Sequence, residues 1–130
     1  MREESSSGVK VYYPSFNLAE LIEKLKHRLT QLSSLLPLEE AILFGSWVEG
    51  RATVASDIDL LLIYKDPKRD DAYSICWDVL NIQNLELHLY TRTEYERLKS
   101  SGSQLIRRIE EKGIRIWQTS SELSSKTTIA

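Results

Sequence analysis

The segment Ile58–Tyr64, with the sequence IDLLLIY, restricts the fold of this chain more than any other stretch. Five of its seven residues are aliphatic, and the pair Asp66-Pro67, typical of a turn, follows shortly after it. A short apolar run that ends at a turn signal is typical of a strand in the interior of a sheet. The rest of the chain therefore has to supply neighbouring strands and covering helices.

Helical periodicity dominates the first part of the chain. Apolar residues recur at three- and four-residue steps, which predicts an amphipathic helix over about 17–36. Asn17 with Glu20 forms a capping pattern at its start, and Pro37 cannot continue it. We therefore expect a long helix ahead of the first strand.

Strand-like and helix-like segments alternate through the remainder. Further strands are predicted at 41–44, about 83–91 and about 114–117, and helices at 71–80, 93–99 and 103–112. This alternation predicts an α/β (α+β) fold, a small mixed β-sheet with helices packed on it. We expect an N-terminal segment at 1–16, one domain at 17–118 and a flexible Ser/Thr-rich tail at 119–130.

Composition limits the classes of protein to which the chain can belong. The 130 residues suffice for one domain, and a net charge of −2 gives no basic excess to attract nucleic acid. The single cysteine, Cys76, has no disulfide mate and lies among apolar residues, so we interpret it as a core residue of a cytoplasmic protein. No apolar run is long enough to span a bilayer, so we expect no membrane association.

Gly45 and Ser46 follow the strand predicted at 41–44 and precede a segment that could open a helix. Such a junction leaves backbone N–H groups free to face an anion. Glycine has no side chain to keep phosphates away, and the Ser46 hydroxyl can donate to one. The pair suits a phosphate site, but a lone Gly-Ser is more often an ordinary turn.

Asp57 and Asp59 lie two residues apart at the start of the Ile58–Tyr64 strand. Side chains alternate along a strand, so both carboxylates are expected on one face, opposite Ile58 and Leu60. Like charges this close raise one another's pKa unless a cation compensates, and carboxylate oxygens suit Mg²⁺ or Mn²⁺. The pair is consistent with a metal site, although solvated acids at an exposed strand start would show the same spacing.

Glu86 lies on the polar face of the strand predicted at 83–91. One small sheet could bring it beside the aspartates, and carboxylates that converge in this way can hold two metal ions about 3.5–4 Å apart for phosphoryl transfer. Glu86 could bind metal and accept the proton of an acceptor hydroxyl. His88 shares this face and could assist, but an ordinary solvated polar residue is the more common case.

Joined together, these residues resemble the signature of a known family. Gly45-Ser46, then ten residues, then Asp57-Ile58-Asp59 ahead of an apolar strand is similar to the DNA polymerase beta-like nucleotidyltransferases. Within that superfamily the chain most resembles the minimal nucleotidyltransferases of bacteria and archaea. Arg51 and Ser56 also lie where the family's loop commonly carries arginine and serine, and the resemblance covers about residues 18–117.

The resemblance implies a nucleotidyltransferase fold and a set of site residues. Its Gly45-Ser46 turn would hold a nucleoside triphosphate, with Arg51 and Ser56 as further nucleotide-binding residues. Asp57, Asp59 and Glu86 would hold Mg²⁺ in a two-metal site, and ATP is the implied substrate. The family usually carries aspartate on the later strand, and Glu86 occupies the matching position here.

The resemblance also implies a partner. Minimal nucleotidyltransferases often form the antitoxin half of a pair with a helical HEPN-type ribonuclease toxin, and some transfer AMP to a tyrosine of that toxin. A chain of 130 residues has little room for an acceptor site of its own, so we expect a second protein to supply it, in a homo- or hetero-oligomer. Trp47, beside the Gly-Ser turn, could be a docking residue or a core residue.

Two other functions remain open. The chain could be a non-catalytic antitoxin that occludes its partner, for which the glutamate in place of aspartate at position 86 is the best support. It could also be a small-molecule adenylyltransferase of the aminoglycoside-modifying kind. The lack of room for an acceptor domain counts against this last possibility.

Overall fold

The computed structural model of the protein describes residues 13–53 and 56–119. Its helices are α1 (Tyr13–Leu32), α2 (Ser46–Glu49), α3 (Ala72–Leu80), α4 (Arg92–Ser100) and α5 (Gln104–Lys112). Its strands are β1 (Leu38–Phe44), β2 (Ile58–Tyr64), β3 (Leu85–Thr91) and β4 (Ile114–Gln118). The predicted α/β architecture is confirmed. No helix in this part of the chain has the length and apolarity needed to cross a membrane.

The predicted bounds of α1 were wrong by four residues at each end. The helix begins at Tyr13, with Pro14 in the first turn, where its missing N–H costs no hydrogen bond. Asn17 therefore lies inside the helix. At the other end the Ser33 hydroxyl donates to the Thr30 carbonyl at 2.6 Å, and residues 33–35 form a turn, because serine competes with the helical backbone.

The predicted bounds of the first two strands agree more closely with the structure, whereas the two ends of the chain lie outside the described residues. β2 has the predicted bounds, and β1 begins three residues earlier than predicted, at Leu38. Most of the expected N-terminal segment and C-terminal tail, residues 1–12 and 120–130, falls outside the described residues. The last described residue, Thr119, donates its N–H to the Glu39 carbonyl at 3.0 Å.

The four strands form one mixed sheet in the order β3-β2-β1-β4. β2 pairs parallel with β3 and antiparallel with β1, and β1 pairs antiparallel with β4. β2 is therefore an interior strand, and its four central residues, Leu60 to Ile63, have no exposed surface. This position explains why the run from Leu60 to Ile63 is continuously apolar, since both faces of the strand are covered there.

Each face of the sheet has its own hydrophobic core. Leu60 and Leu62 pack with residues of α1 and α3, while Leu61 and Ile63 pack with residues of α4 and α5. Cys76 is fully buried on the α1–α3 side, and burial raises the pKa of its thiol to about 12, which confirms it as a core residue. Because side chains alternate along a strand, Asp59 shares its face with Leu61, on the α4–α5 side.

The link between β3 and α4 is fixed by local polar contacts. The Thr91 hydroxyl accepts from the Glu94 N–H at 3.1 Å, and the Glu94 carboxylate accepts from the Thr91 N–H at 3.0 Å, which is a capping box. Arg92 then bonds to Glu39 at 2.8 Å and to Glu40 at 2.6 Å, which ties the start of α4 to β1. These contacts hold α4 over the face that carries Asp59.

Candidate active site

Asp59 and Glu86 lie side by side at one edge of the sheet. They are register partners in the parallel pair of β2 and β3, and Phe44, the last residue of β1, pairs with Asp59 from the other side. Three strand ends therefore bring the two carboxylates onto the α4–α5 face. The Asp59 side chain is 22% exposed, whereas that of Glu86 is 54% exposed.

Gly45 lies against the Asp59 carboxylate. Its φ of 83° and ψ of −154° belong to a region that is essentially restricted to glycine. A Cβ at this position would overlap an Asp59 carboxylate oxygen and would lie 3.0 Å from the Asp59 Cγ. Glycine is therefore required here for two reasons: the backbone conformation, and the lack of room for a Cβ beside Asp59. Gly45, at the start of the turn that leads into α2, therefore lies directly against the Asp59 carboxylate.

His88 completes a cluster of three possible metal ligands. Its Nε2 lies 3.7 Å from Glu86 Oε2 and 4.0 Å from Asp59 Oδ1. One ligand atom from each of the three residues falls within 4.8 Å of the others. The interpretation of His88 as an ordinary solvated residue was wrong, because its side chain is only 21% exposed and its ring contacts that of Phe44.

The electrostatics of the cluster favour a bound cation. Burial raises the pKa of Asp59, the Glu86 and Asp57 carboxylates raise it further, and His88 acts in the opposite direction. Among residues 13–53 and 56–119, no lysine or arginine forms an ion pair with Asp59 or Glu86. Two oxygen ligands and one nitrogen ligand, with no lysine or arginine of the described residues paired to them, match the donor set of a divalent metal site.

Asp57 is close to this cluster but not within it. It is exposed, precedes the first residue of β2, and shows its proximity through its effect on the pKa of Asp59. The cluster of three ligands contains His88 in its place. The expected convergence of three carboxylates is therefore seen for Asp59 and Glu86, with Asp57 at the solvent side.

Arg51 and Ser56 make contacts within the loop between α2 and β2. Arg51 is exposed and bonds to the Glu49 carboxylate at 3.0 Å. The Ser56 hydroxyl accepts the Thr53 N–H at 2.8 Å. Among the described residues, neither side chain forms a hydrogen bond or ion pair with Asp59. Their assignment as nucleotide-binding residues stays a prediction.

Trp47 belongs more to the core than to the surface. It is half-buried and packs against the cluster on the α1–α3 side, and its indole N–H is buried with no hydrogen-bond partner among the described residues. The structure thus favours the core alternative for Trp47. The large apolar side chains with most exposure lie elsewhere, at Leu35, Tyr73, Leu105 and Ile114.

Comparison with solved structures supports the fold. A candidate nucleotidyltransferase of Sulfolobus solfataricus superposes with a TM-score of 0.58 at 19% identity, covering 85% of this chain and 92% of that one. A toxin–antitoxin complex solved with AMP-PNP gives 0.50 at 22% identity, covering 80% and 83%. A mutant MntA–HpeT toxin–antitoxin complex gives 0.50 at 20% identity, with the same coverage. At these identities the similarity establishes the architecture.

The sequence itself matches a family model. The model of the nucleotidyltransferase domain matches residues 22–116, a span that includes the Gly45-Ser46 turn and the cluster of Asp59, Glu86 and His88. A search of curated protein sequences returns no significant match. The matched span runs from α1 into β4, so it includes residues of all four strands. The chain belongs to the nucleotidyltransferase domain family.

Proposed function

We propose that this nucleotidyltransferase transfers AMP from ATP to a hydroxyl of a partner protein, namely a tyrosine of a HEPN-type toxin, and that it acts as the antitoxin. The observation that carries the proposal is the convergence of the Asp59 and Glu86 carboxylates beside the Gly45-Ser46 turn. A triphosphate on that turn would place its α-phosphate near both acids. The proposal implies a cytoplasmic protein, since ATP is available there.

The chemistry assigns each residue a task. A bond forms between the acceptor oxygen and the α-phosphorus, and the bond to the bridging oxygen breaks, so that pyrophosphate leaves. Mg²⁺ held by Asp57, Asp59 and Glu86 would neutralise the charge that develops on the phosphate oxygens. Glu86, the more exposed carboxylate of the neighbouring pair, can accept the proton of an incoming hydroxyl. Gly45 leaves room for the phosphates, and Ser46 donates its hydroxyl proton to one.

Two observations support a protein as the acceptor. The structural neighbours include toxin–antitoxin complexes, one of them solved with AMP-PNP. One sheet and the helices that cover its two faces make up almost all of residues 13–53 and 56–119. These residues contain no second folded unit that could bind an acceptor. An acceptor hydroxyl would then enter from solvent beside Glu86, where the side chain is half-exposed.

Co-expression with the adjacent open reading frame, followed by intact-mass analysis, tests the proposal. We expect a helical partner that gains the mass of AMP with the wild-type chain and does not gain it with Asp59→Asn. Asp78→Asn is the matched control, because Asp78 is an exposed acid of α3, on the other face of the sheet. A stable complex without added mass would favour occlusion. Absence of a complex would favour a small-molecule acceptor.

Glu86→Gln tests the proposed base. The amide keeps the shape of the side chain but cannot accept the proton, so we expect the transfer rate to fall by at least about 10²-fold. The affinity for ATP should change much less, because other groups hold the triphosphate. Single-turnover kinetics with separate measurement of nucleotide binding distinguish the two effects. An unchanged rate would remove Glu86 from proton transfer.

Ser46→Ala tests the phosphate contact. Loss of one hydrogen bond costs about 1 kcal/mol, and more when the acceptor is charged, so ATP should bind several-fold more weakly. Ser103→Ala is a suitable control, since it also removes a serine hydroxyl at a helix start, where the Ser103 hydroxyl accepts the Ile106 N–H in the first turn of α5. Titration calorimetry measures both variants. Equal affinity for wild type and Ser46→Ala would place the phosphates elsewhere.

A further inference from the structure

We propose that His88 is a direct ligand of the metal in this site, and that the site consequently prefers Mn²⁺ to Mg²⁺. The inference depends on the proposed function in one respect, since both place a divalent cation beside Asp59. It differs from the expected all-carboxylate Mg²⁺ site in the identity of the third ligand. Within residues 13–53 and 56–119, the fold brings together the ligand atoms of Asp59, Glu86 and His88.

The geometry favours one ion shared by the three side chains. Neighbouring ligands bound about 2.1 Å from the same metal lie about 3.0–3.4 Å from each other. His88 Nε2 is 3.7 Å from Glu86 Oε2 and 4.0 Å from Asp59 Oδ1, so these two separations are wider by about 1 Å at most. Rotation of the exposed Glu86 side chain can shorten its distance to His88 Nε2, and rotation of the Asp59 carboxylate about its Cβ–Cγ bond can shorten the other distance. The residues are therefore close to a coordinating arrangement in the absence of metal.

The burial of His88 indicates that its Nε2 atom is positioned to bind a ligand. This nitrogen is inaccessible to solvent and has no hydrogen-bond partner among the described residues. The Phe44 ring lies 5.2 Å from the imidazole, centroid to centroid, and restricts its orientation. Buried polar atoms are normally paired, so an unpaired one beside two carboxylates is explained most simply by a ligand that completes it.

The strand register explains why His88 lies here. Glu86 and His88 are two residues apart on β3, so their side chains emerge on the same face. Asp59 pairs with Glu86, and Leu61 pairs with His88, so the imidazole is one step deeper along the sheet than the carboxylates. The imidazole would therefore contact an ion from the interior side of the site, whereas Glu86 would contact it from the more exposed side.

An imidazole ligand changes the preference for metal. Mg²⁺ favours oxygen ligands in a near-ideal octahedron, whereas imidazole nitrogen suits transition metals. Mn²⁺ accepts both carboxylate and imidazole, and it can replace Mg²⁺ in phosphoryl transfer. A site with two carboxylates and one imidazole should therefore bind Mn²⁺ more tightly than Mg²⁺.

Electron spin-echo spectroscopy of Mn²⁺ added to the tag-free protein tests the inference without any activity measurement. Directly bound imidazole gives a characteristic ¹⁴N coupling, which we expect in the wild type and expect to be lost in His88→Gln. His27→Gln is the matched control: the chain contains only two histidines, and His27 is exposed on α1. If His88→Gln does not fold, His27→Gln alone decides, because His88 is then the only histidine.

Metal affinity provides a second measurement. His88→Gln should weaken Mn²⁺ binding by about tenfold or more and change Mg²⁺ binding by less than about threefold, because the nitrogen ligand matters more to the transition metal. Bound Mn²⁺ that Asp59→Asn removes but that shows no ¹⁴N coupling in the wild type would overturn the inference, and so would failure of the wild type to bind Mn²⁺. Either result would leave the proposed function standing, because that function is tested by Mg²⁺-dependent transfer to the partner.

Discussion

Asp59→Asn is expected to reduce nucleotidyl transfer by about 10³-fold or more while the protein stays folded. The amide cannot bind a divalent cation as a carboxylate does, and a metal supplies several kcal/mol of charge stabilisation in such reactions, at 1.36 kcal/mol for each tenfold in rate. Transfer to the co-expressed partner, followed by mass analysis, measures the loss. A variant that transfers at the wild-type rate would contradict the assignment of Asp59.

The same substitution is expected to maintain or increase the free energy of unfolding in the absence of metal. The folded state raises the pKa of Asp59, through burial and through Glu86, so the charged form is less favourable folded than unfolded. Stability from this group is complete below its unfolded pKa and is lost as pH rises through the folded pKa. Asn stays neutral, so its advantage over the wild type should grow with pH across that window. Urea denaturation at acidic and neutral pH measures this difference.

Asp57→Asn separates the roles of the two aspartates. If Asp57 binds metal from the solvent side, its loss should also abolish Mg²⁺-dependent transfer. Its effect on unfolding should be small, because its side chain is exposed. The control Asp78→Asn also removes an exposed charge, on the opposite face of the sheet, and should change neither quantity. Transfer at the wild-type rate by Asp57→Asn would leave Asp59, Glu86 and His88 as the complete protein ligand set.

Much of the site follows from periodicity in the sequence. The continuous apolar run after Asp59 requires an interior strand, and the alternation around Glu86 requires a strand with one polar face. These two statements place each acid near a strand start, as the structure has them. The pairing of Asp59 with Glu86 is a tertiary property, because a shift of β3 by one residue would turn Glu86 to the other face.

His88 shows where reasoning from the sequence fails. Its position on the face of Glu86 was predictable, but its burial depends on the Phe44 ring, from a strand more than forty residues away in the chain. The helix start at Tyr13 was missed for a related reason. The capping pattern at Asn17 expresses only a local preference. Proline is tolerated in the first turn of a helix, so the helix begins at Tyr13, ahead of Asn17.

Gly45→Ala is expected to combine a loss of stability with a loss of transfer. The backbone conformation at position 45 is nearly restricted to glycine, and forcing another residue into such a region costs about 1–3 kcal/mol. The new Cβ would also overlap the Asp59 carboxylate, which must move away from the Gly45-Ser46 turn and so leave its present position in the site. We therefore expect transfer to fall about as far as in Asp59→Asn. Denaturation and partner modification measure the two effects.

Gly102→Ala is the control that separates backbone strain from displacement of Asp59. Gly102 has a φ of 82°, close to the 83° of Gly45, but nothing lies within 4 Å of the Cβ that alanine would add. We expect it to lose about 1–2 kcal/mol of stability and to transfer AMP normally. In an Asp59→Ala background, Gly45→Ala should then destabilise the fold by less than it does in the wild type, since the overlapping carboxylate is gone. Equal costs in the two backgrounds would mean that Gly45 is required for its conformation alone, and that the position of Asp59 does not depend on it.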